Sequence, residues 1–340
     1  PVIPSGSSGT GILPVNSSST GVPPVGSEKA KESAVHVRSR LLVLELWGLG
    51  DLALAMPFLR SAAQHARVTL LAKPHAAPLL ARFAPDVELL PFTAPWTAFT
   101  GKYRLHRWPW RALFRLRREL RSRRFDLAVS ARPDPRDHAL LAVAGAAKRL
   151  GFPRAGSRAL LTHPLAQPSR PHRIEYWRAL ATALRWSIPS PVSRLPSPTS
   201  SAPGRRIVIH TGAGQPVRRW PRERFDAIAS RLRTAGWDVV TLDDAPGTLD
   251  QLLVTLAGAD RFLGNDSGPG HLAALLCVPT FSIFGPSDPA EFSPVHPQAA
   301  WIEGAPCPYR PCRDYCRFAE PNCIRAIETE TVWQRLQSWL

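Results

Sequence analysis

The chain has 340 residues, of which 44% are hydrophobic, and a formal net charge of +17. That length and apolar content suffice for two cores, and no run reaches the roughly 18 uncharged apolar residues of a membrane span. The excess of 43 Lys and Arg over 26 Asp and Glu raises the local concentration of anything anionic, so the charge implies a nucleic acid, an anionic membrane face or a phosphorylated substrate as partner. Composition alone does not choose among the three.

Residues 1–36 are rich in Ser, Gly, Pro and Val, with Thr10-Gly11-Ile12-Leu13-Pro14-Val15 echoed in Thr20-Gly21-Val22-Pro23-Pro24-Val25. Such a segment buries no core and is expected to be disordered. It lacks the charged, apolar, small-residue order of a signal peptide, so a cytoplasmic location is expected. From there strands and helices alternate: strand 41–46, helix to about 64, strand 68–72, helix 76–83, strand 87–90, helix 111–123 and strand 126–130. Alternation of this kind predicts a parallel, doubly wound sheet over a first domain of residues 37–187. Residues 188–205 are dense in Pro and Ser and read as a linker. A second α/β domain, 206–340, starts with strand 207–209 and continues with strand 239–242, helix 249–257, strand 261–264 and a C-terminal helix over 331–340.

Three turns carry the chemistry. Trp47-Gly48-Leu49-Gly50-Asp51 joins the first strand to an apolar helix, His210-Thr211-Gly212-Ala213-Gly214 runs on into Arg218-Arg219-Trp220-Pro221, and Gly264-Asn265-Asp266-Ser267-Gly268-Pro269-Gly270-His271 opens another helix. In the third, Ser267 suits the cap, Pro269 suits the first turn, and the glycines let backbone N–H groups approach an anion that the helix dipole also favours. A plain capped turn is the other reading of those residues. For Asp51 the residues alone leave open an N-cap of helix 52–63, and for His271 a structural histidine.

Taken in order, the three turns resemble the pattern of glycosyltransferase family 9, which includes the ADP-heptose:lipopolysaccharide heptosyltransferases, and the resemblance runs from about Arg40 to the C-terminus. It implies an α/β fold of two Rossmann-like domains facing across a cleft, the GT-B type glycosyltransferase architecture, with acceptor on the first half and nucleotide sugar on the second. It further implies an inverting transfer of heptose or a similar sugar from a nucleotide diphosphate, ADP-heptose, to a lipopolysaccharide core or related phosphorylated glycolipid, with no cofactor required. By the same matching Asp51 is the catalytic base, Thr211, Gly212 and Arg218 hold the donor phosphates, and Asp266, Ser267, Gly268 and His271 line the nucleotide diphosphate pocket. Gly48 and Gly50 fall on the acceptor side.

Two departures stand out. Where the family has Arg or Lys six residues before the base, this chain has Glu45, which is expected to reverse the charge there. The stretch that carries a donor-contacting glutamate is short, leaving Asp243 and Asp244 nearby. A catalytically degenerate relative that binds a nucleotide sugar or glycolipid without turnover is therefore the alternative. A nucleic-acid-binding protein would explain the charge, but no recognition motif is present.

Two further features remain. Between Lys102 and Arg124 ten Lys or Arg stand against the single Glu119, interleaved with Trp108, Trp110 and Phe114. This is either a solvated helix face or, through Arg111, Arg115 and Arg118, a contact for an acidic acceptor or for the anionic inner face of the cytoplasmic membrane. Cys307, Cys312, Cys316 and Cys323 form a C-x4-C-x3-C-x6-C cluster without the tight C-x2-C knuckles common in zinc sites. It reads as a structural feature or a structural metal site, whereas Cys277 reads as core within an apolar helix.

Overall fold

The computed structural model describes residues 38–98, 104–188, 204–242, 247–312 and 315–340. The expected disordered segment, all but the ends of the linker, and Lys102, Asp243 and Asp244 lie outside the described residues.

The first sheet is built from β1 (Arg40–Glu45), β2 (Arg67–Ala72), β3 (Glu88–Pro91), β4 (Leu127–Ser130), β5 (Lys148–Gly151) and β6 (His163–Pro164). All pair in parallel, in the order β3-β2-β1-β4-β5-β6. The helices between them are α1 (Leu49–His65), α2 (Ala77–Phe83), α3 (Trp110–Ser122), α4 (Pro135–Ala144) and α5 (Arg173–Leu184). A parallel sheet covered by helices on both faces needs strands that are apolar throughout, and β1 shows why. Leu41 and Val43 enter the core formed with α1, α2 and α5, while Leu42 and Leu44, pointing to the other face, enter the core formed with α3 and α4.

The second sheet comprises β7 (Arg206–His210), β8 (Asp238–Leu242), β9 (Arg261–Asn265), β10 (Thr280–Phe284) and β11 (Ala300–Glu303), parallel in the order β11-β10-β9-β7-β8. Its helices are α6 (Arg222–Thr234), α7 (Leu249–Ala257), α8 (Gly268–Leu275), the short α9 (Pro289–Phe292) and α10 (Asn322–Arg325), and α11 (Thr329–Trp339). Ile207, Ile209, Phe281 and Ile283 pack on Phe225, Ile228 and Leu232 of α6 and on Val332 and Leu336 of α11. The opposite face, through Val208, Phe262 and Leu272, joins the same core as α1.

In each sheet the strand order reverses once, between β1 and β4 in the first and between β7 and β9 in the second. Open α/β sheets bind ligands outside the carboxyl ends of the strands at such points. All three turns singled out in the sequence leave β1, β7 or β9 there.

Cys277 corrects one expectation. Helix α8 ends before it, and Cys277 sits partly buried just past the cap with φ 59°, in the left-handed region. Its N–H donates to the Ala274 carbonyl and that of Val278 to the Ala273 carbonyl, the paired bonds that close a helix C-terminus.

Candidate active site

Helix α1 begins at Leu49, three residues earlier than the sequence suggests, because Gly48 takes the N-cap position in extended conformation. Asp51 is thus not the cap but the third helical residue, and its Oδ2 accepts the Gly48 N–H at 3.3 Å. Its other oxygen, Oδ1, lies 3.1 Å from Arg132 Nη1 and 3.8 Å from Arg173 Nε. Arg132 follows β4 and Arg173 opens α5, so the switch point of the first sheet brings an anion and two cations together. Burial would raise the Asp51 carboxyl, but Arg132, Arg173, the Gly48 N–H and His271 outweigh it and hold the group below its ordinary value. Asp51 is a carboxylate at neutral pH.

Glu45 ends β1 directly beneath this group, buried, with Oε1 accepting the Trp47 N–H at 3.1 Å. Burial first, and the Asp51 charge second, push it up to about 8. The expected reversal of charge is therefore absent near neutrality: Glu45 keeps its proton because a second carboxylate beside Asp51 is unfavourable in a desolvated site. Arg132 and Arg173 supply the positive charge instead, along with Lys73, which faces Glu45 and Asp51 from the end of β2 and which burial shifts downward.

Arg132 is further fixed by stacking 4.3 Å over the Trp47 ring. The indole N–H of Trp47 donates to Asp137 Oδ2 at 3.2 Å, and that of Trp96 donates to Asp137 Oδ1 at the same distance. Asp137 lies in the first turn of α4, fully buried, and burial raises it to about 6.

On the other side of the cleft, Asn265 at the end of β9 staples two of the turns together. Its amide donates to the Thr211 carbonyl at 2.8 Å and more weakly to that of Gly212 at 3.3 Å, and its Oδ1 accepts the Trp220 N–H at 2.9 Å. Trp220 is buried, with its indole N–H on the Ile327 carbonyl and its ring edge-on to Phe225. Arg218 Nη1 lies 3.2 Å from Asp266 Oδ2. Ser267 occupies the N-cap of α8 but makes no capping bond; its hydroxyl meets His210 Nδ1 at 3.3 Å. The first N–H groups of α8 are thus left without that partner at the positive end of the helix.

The two sides meet where α1 and α8 pack N-terminus to N-terminus. A Cβ on Gly50 would stand 2.7 Å from His271 Cδ2, and one on Gly268 would stand 3.0 Å from Leu49 Cβ. The glycines are what let the helix starts approach. His271 is buried, with Nδ1 unpartnered among the described residues, and burial lowers its pKa. His172, capping α5 from the first half, makes a hydrogen bond through Nε2 with the Ser293 carbonyl of the second at 2.8 Å.

Gly48, Gly50 and Asp51 are therefore brought together with His271, and Thr211, Gly212, Arg218, Asp266, Ser267 and Gly268 line the facing side. Arg111, Arg115 and Arg118 are not part of this cluster: α3 lies on the opposite face of the first sheet from α1, and all three are exposed. Cys307, Cys312 and Cys316, in the segment between β11 and α10, and Cys323, in α10, carry free thiols, and among the described residues no group of three or more His, Cys, Asp or Glu is placed to hold a metal ion. Lys73, Arg132, Asp137, Arg173 and Asn265 complete the site. The sequence carries a signal for Arg132, a cation just past a strand end, and for Asn265, inside a turn already singled out; Arg173 lies on a helix with no clear pattern.

Residues 113–247 and 245–321 match the family model described as glycosyltransferase family 9 (heptosyltransferase). The chain is 24% identical over 275 residues to lipopolysaccharide heptosyltransferase 1 of Pseudomonas aeruginosa, covering 66% of this chain and 77% of that one. The solved E. coli ADP-heptose lps heptosyltransferase II superposes with a TM-score of 0.65 at 21% identity, covering 88% of this chain and 98% of that one. An E. coli heptosyltransferase solved with ADP-2-deoxy-2-fluoro heptose gives a TM-score of 0.66 at 17% identity over 88% of this chain and 99% of that one. These superpositions establish a shared fold of two parallel α/β sheets.

Proposed function

Since the chain belongs to glycosyltransferase family 9, the heptosyltransferases, we propose that it transfers heptose from ADP-heptose, with inversion, to a phosphorylated glycolipid of the lipopolysaccharide core. The observation that carries this reading is the carboxylate of Asp51, held ionised by Arg132 and Arg173, on the helix start that packs against the start of α8 through Gly50 and Gly268. Asp51 takes the proton of the acceptor hydroxyl as its oxygen bonds to the anomeric carbon. The bond from that carbon to the diphosphate breaks on the opposite face, and the electron pair leaves with ADP. Thr211, Gly212, Arg218 and the N–H groups at the start of α8 receive the charge that develops there. Arg132, Arg173 and Lys73 give the acceptor side a cationic wall suited to phosphate or carboxylate groups.

Neutral Glu45 favours turnover over binding alone, because it adds no competing anion to the base. The test is mass spectrometry of 3-deoxy-octulosonate-lipid A and partly built core oligosaccharides after incubation with ADP-heptose. A heptose increment that Asp51→Asn abolishes is the expected result. An increment that survives Asp51→Asn removes the base from this reading, and none with any acceptor while ADP still binds removes the transfer.

A further inference from the structure

Asp137 is fully buried in the first turn of α4, and each of its oxygens accepts an indole N–H, Oδ2 from Trp47 and Oδ1 from Trp96, both at 3.2 Å. Asp134, one turn before it, takes Arg136 at 2.6 Å; the hydrogen-bond partners of Asp137 are the two indoles and not a cation. A carboxylate is costly to bury on such terms. It nevertheless suits two donors at once, because both of its oxygens accept, whereas the amide of the same size offers one.

The two indoles differ in what they touch. Trp96 is buried, with its ring 5.6 Å from that of Trp108, and anchors the acid in the core of the first sheet. Trp47, partly buried in the turn after β1, carries the Arg132 guanidinium 4.3 Å over its ring. Arg132 Nη1 reaches Asp51 Oδ1 at 3.1 Å, and its backbone N–H donates to Ser130 Oγ at 3.2 Å. An arginine side chain is long and rich in rotamers, so a flat face that attracts cations is what fixes its direction. An indole whose N–H is given to an anion is polarised toward the ring, which strengthens that face. The contacts run in one series, from the Asp137 carboxylate through the Trp47 indole and the Arg132 guanidinium to the Asp51 carboxylate.

We propose that Asp137 is a positioning residue for the base: as a carboxylate it locks the Trp47 ring beneath Arg132 and so keeps that guanidinium on Asp51. Once protonated, one of its oxygens carries a hydrogen and the paired indole bonds are lost. Burial first, and Asp134 second, raise Asp137 to about 6 against the pull of the two indoles and of Arg132. His138, next on α4, is engaged through Nδ1 by Ser157 Oγ at 2.8 Å. The lock therefore opens as pH falls through about 6, and Asp51 then loses part of what holds it ionised. The inference rests on the reading of Asp51 as the base for its purpose, while the coupling itself needs no substrate.

Carbon nuclear magnetic resonance titration of the full chain, labelled at the aspartate carboxyls, reads that coupling, with the Asp51 signal assigned by its loss in Asp51→Asn. Trp47→Phe keeps a ring beneath Arg132 and drops the N–H, and Asp137→Asn keeps one acceptor and drops the charge. Each should raise the Asp51 midpoint by about one unit, and the two together by no more than either alone, because they act in series. Trp47→Phe should also lower kcat severalfold with the KM for ADP-heptose unchanged. An Asp51 midpoint that stays in place in both variants, or rises that add in the double variant, overturns the proposal; if Asp137→Asn does not fold, Trp47→Phe decides alone. A raised midpoint in a protein that transfers no heptose would uphold the coupling and count against the transfer alone.

Discussion

Around Asp51, five ionisable side chains, from β1, α1, the turn after β2, the turn after β4 and α5, crowd one end of the first sheet, and each shifts the titration of at least one other. Around Ser267 the second sheet offers mostly backbone: the turn after β7, the start of α8, and an ion pair between Arg218 and Asp266. The difference suits the two tasks proposed for them. A base must hold one protonation state and change it once per turnover, which neighbouring charges can tune. A departing diphosphate needs dipoles already aimed at it, and backbone N–H groups do not titrate.

The largest effects should separate the two sides. Asp51→Asn should lower turnover by about 100- to 10,000-fold while ADP affinity, by calorimetry, stays the same or tightens slightly. Arg218→Ala should do the reverse in binding, weakening ADP by about tenfold or more through the loss of a charged hydrogen bond and the release of buried Asp266. If both variants shift both quantities equally, the division of labour fails.

A smaller effect tests Glu45. In the folded protein it keeps its proton up to about pH 8, against an ordinary value of 4.5. Between these values the folded state binds more protons than the unfolded one, so the group's contribution to stability falls as pH rises, by at most about 1.4 kcal/mol per unit. Asp137 adds a similar slope only up to about 6. Glu45→Gln is neutral in both states, so its thermal midpoint should fall less than that of the wild type between pH 6 and pH 8. A parallel fall would mean that Glu45 is already ionised when folded.

The same contrast explains what the sequence revealed. The phosphate-side turns are local: Gly264 to His271 and His210 to Gly214 carry their chemistry within a few consecutive residues, and β7, β9 and α8 follow from the apolar runs beside them. The acid–base side is assembled from distance. Asp51 was legible from its turn, but Arg132 lies 81 residues away and Arg173 sits on α5, where the alternation of β5, β6 and short turns gives little periodicity. The meaning of Glu45 depends wholly on burial, which no local pattern reports. Helix α1 starts earlier than its apolar pattern suggests because Gly48, a weak cap by type, takes the N-cap while Asp51 reaches back from the first turn.

If Asp51 and the diphosphate seat act from opposite sides on one anomeric carbon, the sugar is transferred in a single displacement. Nuclear magnetic resonance of the glycosylated acceptor, comparing the anomeric configuration of the new linkage with that of the donor, tests this most directly. The arrangement across the cleft predicts inversion. Retention would require a covalent or front-face route and would contradict the assignment of Asp51 as the base.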